Sequence, residues 1–292
     1  MVRTSRRDFL KTSLAAGALA TTGTLPAVAA GTKATDTVTL GKSNVKVTRL
    51  AFGTGSHNGA VQRQLGQEGF NALVRHAWDR GIRFYETADS YDGMHEMLGI
   101  ALKGIPRDSY QIMSKITTDS GDPHQRFDEL RKQINSDYFD IMLLHVQQGE
   151  NWPERSKRWQ DGILEAQHKQ IIRARGASVH GLPALRQVPQ NDWLQVAMIR
   201  MNHKGTKMDS DGNFWEATGN VNEVVQHVQA TKKAGMGVIS MKLIGEGVFN
   251  RDDRQKAMRF AFRNAGVDAV TVGYKSPAEI DEAIENINAA LA

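Results

Sequence analysis

The 292-residue chain contains no cysteine. Disulfides, thiolate metal sites and iron–sulfur clusters are thereby excluded, and stability is left to the packed core. Long apolar runs are missing too: a membrane-spanning helix needs ~20 strongly apolar residues, whereas the uncharged N-terminal stretch from Thr12 to Gly23 is mostly Ala, Gly and Thr. No Pro- or Ser-rich linker divides the remainder. The formal net charge is +5, but four basic residues and one Asp precede position 31, so the part beyond carries only +2. Its Lys and Arg are scattered among Asp and Glu, without the basic face that nucleic-acid binding requires. A complete dinucleotide fingerprint is also lacking, because Gly53-Thr54-Gly55 has no third glycine and precedes a polar loop.

What is present begins with an ordered N-terminus. Ser5 to Lys11 reads SRRDFLK, the uncharged stretch follows, and Pro26 to Ala30 reads PAVAA, with small residues at a cleavage position. A basic region, an apolar region and a small-residue site in that order define an export signal. The paired Arg6 and Arg7 before Phe9, Leu10 and Lys11 make it a twin-arginine signal, a receptor-read address and no anchor. Residues 1–30 are therefore expected to be a signal peptide, and residues 36–292 a single domain in the periplasm or another extracytoplasmic space, with the translocation machinery as a partner. About 262 residues remain after such a cleavage, close to the ~250 of one (β/α) barrel.

A hairpin-like entry, Thr37–Leu40 and Val45–Val47 around GKSN, precedes eight apolar runs that read as buried parallel strands. They are Thr48–Phe52, Arg83–Thr87, Gln111–Lys115, Asp140–His145, Ala174–Ser178, Leu194–Met201, Gly237–Lys242 and Ala269–Gly273. Helical patterns alternate with them: Phe70, Leu73, Val74, Ala77 and Trp78 share one face and Gly81 stops the run, and Val221, Val224, Val225 and Val228 repeat the pattern before Gly235. Eight strand–helix alternations predict an α/β fold, a single (β/α)8 TIM barrel with a short N-terminal hairpin. An open doubly wound sheet is the rival, and the missing fingerprint argues against it.

Several of these runs end in ionisable groups. RFYETADSY, QIMSK and DIMLLH put Glu86, Tyr91, Lys115 and His145 at the carboxyl face of the predicted barrel, where such folds carry chemistry. Glu86 and Lys115 could simply be a salt bridge filling the barrel mouth, but three consecutive strand ends with Glu, Lys and His and a Tyr just beyond are costly to desolvate without a purpose. The set resembles that of the aldo-keto reductases, and the likeness runs along nearly the whole mature chain. That family uses an Asp, a Tyr five residues later, a Lys and a His at these places. Tyr91, Lys115 and His145 match, whereas Glu86 stands where Asp is usual, and its extra methylene moves the carboxylate. The resemblance implies carbonyl reduction: hydride from a nicotinamide, Tyr91 as proton donor with Lys115 lowering its pKa, and His145 orienting the carbonyl.

For the cofactor, NADP or NAD, the last helix is the clearest signal. Ser276 as N-cap, Pro277 at the first position and Glu279 at the third form a capping box, and a helix start also binds phosphate. By resemblance the adenosine end docks here, with Lys275 and Ser276 matching. Glu279 stands where the family's usual Arg meets the 2′-phosphate of NADPH, and the adenine-contacting Asn is replaced near Glu282 and Ala283. An acid repels a phosphate and accepts hydrogen bonds from a free ribose, so NADH is favoured more than in an average member, while Lys275 favours a phosphate. Gly53 and Thr54 after the first strand, Ser178 in GASVHG, where Val179 replaces the usual Asn, and Lys242 in SMKLIGEG complete the expected cofactor contacts.

Two longer loops, Val146 to Trp159 and His203 to Gly219, would rise over the mouth. Trp152 and Trp215 are candidate contacts for a small-molecule, sugar-like or ring-shaped carbonyl substrate, or else they pack the loops. His180 is a substrate contact or a loop residue. DSDGN at Asp209 to Asn213 lacks the downstream Glu of a calcium loop and reads as a turn. The twin-arginine route carries folded proteins and so suits an enzyme that loads its cofactor before export. Three readings follow: a carbonyl–alcohol oxidoreductase, an exported enzyme with a tightly held, self-regenerating nucleotide acting on a sugar derivative, or a non-catalytic binding protein on the same barrel.

Overall fold

The computed structural model describes residues 32–119, 121–208, 210–212 and 218–292. Trp215, and Asp209 and Asn213 of the DSDGN turn, lie outside the described residues, as do residues 1–31. A hairpin comes first, β1 (Thr37–Thr39) and β2 (Lys46–Thr48), paired antiparallel. Then come β3 (Leu50–Gly53), β4 (Phe84–Glu86), β5 (Gln111–Ile116), β6 (Phe139–Gln147), β7 (Ile172–Val179), β8 (Val196–Arg200), β9 (Gly237–Met241) and β10 (Ala269–Gly273). These eight are parallel and pair in sequence order, and β10 closes on β3 to complete the barrel. Each predicted strand overlaps its observed one.

The connecting helices are α1 (Ala60–Arg63), α2 (Gly66–Asp79), α3 (Met94–Ala101), α4 (Pro123–Ile134), α5 (Trp152–Arg155), α6 (Lys157–His168), α7 (Leu182–Arg186), α8 (Val221–Lys233), α9 (Arg251–Arg259) and α10 (Pro277–Leu291). The apolar stripe read from the sequence is the face that α2 buries: Phe70, Leu73, Val74 and Ala77. Trp78 flanks it and carries the Arg83 guanidinium 3.6 Å from its ring centroid. Gly81 ends the run with φ +95°, which a residue with a Cβ rarely adopts. Among the described residues no helix is long and apolar enough to cross a membrane.

Period-two alternation decides what the barrel encloses. Every second residue faces inward, so Ala51, Phe84, Met113, Ile141, Val196 and Ile239 form an apolar layer. Two residues further toward the carboxyl end, the same inward positions hold Glu86 and Lys115. The hairpin plugs the opposite end, for Leu40 and Val47 join the interior cluster and are fully buried. That approach depends on Gly237, where a Cβ would stand 2.6 Å from Cβ of Leu40.

Candidate active site

The residues after β4 are stitched onto β5. Thr87 N–H donates to Met113 O and Asp89 N–H to Lys115 O, both at 2.9 Å, and the Asp89 carboxylate accepts from Thr117 N–H (2.8 Å) and Oγ1–H (2.9 Å). This fixes the turn that presents Tyr91. Below it, Lys115 Nζ donates to Glu86 Oε1 and to Thr87 O (2.9 Å), and Thr271 Oγ1–H donates to Glu86 Oε2 (3.2 Å). Lys115 and Glu86 are 0% and 3% exposed. The longer acid arm therefore keeps its contact with the lysine.

Lys115 Nζ lies over the Tyr91 ring, 4.6 Å from its centroid. His145 meets the same ring edge-on, with centroids 5.6 Å apart and planes at 83°. The phenol hydroxyl points at Gly55, where a Cβ would sit 2.5 Å from Tyr91 Oη, so only glycine leaves it room. Tyr91, Lys115, Glu86 and His145 are thus brought together as expected.

The electrostatic expectation for the phenol is corrected. Burial pushes the Tyr91 pKa up, and the carboxylates of Glu246 and Asp89 add to the shift. Lys115 does not lower it, because its ammonium faces the ring instead of the hydroxyl and is paired with Glu86. Burial, and then the nearby Lys242 charge, push Lys115 well below the usual lysine range. His145 is held well down by burial, Lys115 and Lys242, so its ring is neutral.

From Tyr91 a cleft of ≈ 430 Å³ runs to the start of α10, a size suited to a small-molecule ligand. Its walls include Gly53, Gly55, Lys242, Glu246, Arg254, Lys275 and Glu279. Lys242 pairs with Glu246, which also meets Lys207 Nζ at 3.0 Å. At the outer end Arg254 holds Glu282 through two hydrogen bonds of 2.7 and 2.8 Å, and Asn286 Nδ2 lies 3.4 Å from Glu282 Oε1. The sequence reading missed Ser56, His57, Arg254 and Asn286 as cleft residues; an Arg in the first turn of α9, facing an acid of the last helix, was the signal available for Arg254.

Other expectations change. Thr54 is fully buried and bonded through N–H and Oγ1–H to Glu86 O (3.1 and 3.0 Å), away from the cleft wall. Ser178 and His180 are buried at the end of β7 outside that wall. Ser178 Oγ has no hydrogen-bond partner among the described residues. Trp152 is no mouth residue: it is fully buried in α5, its indole N–H donating to Ala184 O at 3.2 Å. The expected loop around it folds into α5 and α6 because its aromatics have apolar surface to cover, and Trp159 likewise packs on Phe127.

The capping box also differs from expectation. Ser276 is extended (φ −150°, ψ 156°) and its side chain makes no cap bond, while the Glu279 carboxylate reaches one residue further back to Lys275 N–H at 2.8 Å. Lys275 Nζ stands 3.8 Å from the same carboxylate.

An eight-stranded parallel barrel with a Tyr, Lys, His and acid at its carboxyl mouth defines a barrel oxidoreductase. Residues 49–258 match the model of the aldo/keto reductase family, and the chain belongs to that family, whose members use NADP(H). Residues 3–23 match the signal sequence of the twin-arginine translocation pathway, which suggests export. The chain is 30% identical over 117 residues to L-galactose dehydrogenase of Arabidopsis thaliana, 36% of each protein. Matched segments span only about a quarter to a third of the curated relatives. Among solved structures, an aldo-keto reductase of Pseudomonas aeruginosa superposes with TM-score 0.71 at 20% identity, covering 90% of this chain and 99% of that one. One from Klebsiella pneumoniae in complex with NADPH gives TM-score 0.63 at 17% identity, covering 88% and 90%. Identities this low show the shared fold.

Proposed function

We propose that the protein is an exported, NAD(P)-dependent oxidoreductase that interconverts a carbonyl and an alcohol, with Tyr91 as the proton donor. One observation carries this reading: a phenol at the cleft floor rests on a buried Lys115–Glu86 pair and beside a neutral His145. The cleft suits the cofactor, since Gly53 and Gly55 line it near Tyr91 without side chains, and Lys242, Arg254 and Lys275 stand along its length, each paired with a carboxylate that a phosphate would have to displace. When bound, the nicotinamide would supply hydride to the carbonyl carbon.

The chain's own residues handle the proton. Tyr91 stays protonated because its pKa is raised, and it donates to the carbonyl oxygen as negative charge develops there. Lys115 braces the phenol ring from its face, Glu86 holds Lys115, and His145 orients the carbonyl by a second donated hydrogen bond. The likeness to L-galactose dehydrogenase supports a sugar-like substrate.

Replacing Tyr91 by Phe removes the hydroxyl alone. Reduction of sugar-derived carbonyls is expected to fall by at least about a hundredfold, with nucleotide affinity, followed by tryptophan fluorescence, nearly unchanged. Wild-type turnover by this variant would refute the donor assignment. The export signal supports a periplasmic destination; changing Arg6 and Arg7 together to Lys should leave the precursor in the cytoplasm, and normal export would sink that reading.

A further inference from the structure

The residue that holds the His145 ring is not among the four discussed so far. Just past His145, β6 leaves regular geometry: its register against β7 shifts between Leu144 and Gln147, and Val146 takes φ +50°. A β-branched residue in the left-handed region is strained and persists only where its surroundings impose it. Here Gln147 Nε2 donates to His145 O (2.8 Å) and His180 N–H donates to Gln147 O (2.9 Å), which clamps the backbone around the histidine. The ring itself makes one hydrogen bond among the described residues, between Nδ1 and Ser90 Oγ at 3.1 Å.

Ser90 directly precedes Tyr91, so the proton donor and the partner of the histidine ring come from adjacent residues of one turn. A neutral imidazole has one N–H and one lone pair; a serine hydroxyl can meet either at Nδ1, whereas a carbonyl oxygen at Nε2 only accepts and so fits the form with its hydrogen on Nε2. We propose that Ser90 is a positioning residue that donates its hydroxyl hydrogen to His145 Nδ1, holding the ring as the Nε2–H tautomer. Tyr91 Oη–H and His145 Nε2–H then both offer hydrogen to the same carbonyl oxygen. With the opposite tautomer, a nitrogen lone pair would face the oxygen lone pairs and the carbonyl would be repelled. The assignment rests on the reductase reading for its purpose, though not for its geometry.

The test is ¹⁵N NMR of the folded protein labelled at histidine, with His145 assigned through a His145→Gln variant. The wild type is expected to show an unprotonated Nδ1 and a protonated Nε2. Ser90→Ala should give a mixture of tautomers and Ser90→Thr should restore the single form. Turnover should follow the same order: roughly a tenfold fall in kcat for Ser90→Ala, the scale of one lost hydrogen bond, with recovery in Ser90→Thr and little change in nucleotide affinity. A protonated Nδ1 in the wild type, or a tautomer and kcat indifferent to Ser90→Ala, would overturn the proposal. If the tautomer responds to Ser90 while the wild type reduces no carbonyl, the reductase reading fails and the hydrogen bond stands.

Discussion

At the scale of single residues, Glu279 has the most definite consequence for the cofactor. Its carboxylate accepts the Lys275 N–H and lies 3.8 Å from the Lys275 ammonium, so it occupies the donors that a phosphate at this helix start would use. A screened charge–charge interaction at a protein surface is worth ~1 kcal/mol. Replacing Glu279 by Arg should therefore raise the NADPH-to-NADH affinity ratio roughly tenfold, ~1.4 kcal/mol, in fluorescence titrations of both proteins. An unchanged ratio would leave Glu279 with a role in the helix start alone. The positions of Lys115 and His145 were legible because each is a polar group ending an apolar run. The sign of the Tyr91 shift was not, since it depends first on how deeply the folded chain buries the phenol and then on Glu246, distant in sequence.

At the scale of elements, α9 links stability to the cleft. Asn250 caps it by accepting the Asp253 N–H at 2.9 Å, and Arg254, in its first turns, holds Glu282 of α10. Asn250→Ala should cost ~1 kcal/mol, read as a lower urea midpoint, and should weaken nucleotide binding, because the fraying turn carries Arg254. Full binding at reduced stability would show that the Arg254–Glu282 pair does not depend on the cap. All eight barrel strands could be read from the sequence because strands buried on both faces are nearly continuous apolar runs. The segment between β6 and α6 could not: the aromatics of an exposed loop and of a buried short helix look alike until their neighbours, Ala184 and Phe127, are placed.

For the whole molecule, buried titratable groups bound the pH range of stability. Burial raises the phenols of Tyr85 and Tyr274, which are 0% and 1% exposed. The unfolded chain releases these protons near pH 10 while the folded one retains them, so stability is complete below that pH and falls above it, by ~1.4 kcal/mol per pH unit for each phenol. On the acid side His95, buried against Ser114, is pushed down to about 4. Its contribution is present above pH ~6.5 and is lost as pH falls toward 4, at most ~3 kcal/mol. Urea midpoints between pH 4 and 11 should form a plateau bounded near these values, and Tyr85→Phe should soften the alkaline fall. A flat profile through pH 11 would show that the buried phenols ionise without unfolding the chain.

Closure of the ring by β10 against β3 also sets a timetable. Pairing Leu50 with Val270 joins segments some 220 residues apart, and at ~5–20 residues per second of synthesis the later strand emerges roughly 10–45 s after the earlier one. The segment that matches a twin-arginine signal, residues 3–23, is made before that interval begins, and so before any closed barrel exists to be carried. A route that accepts folded cargo has to wait for the end of translation, and a route that accepts unfolded chains would have that same interval in which to capture this one first.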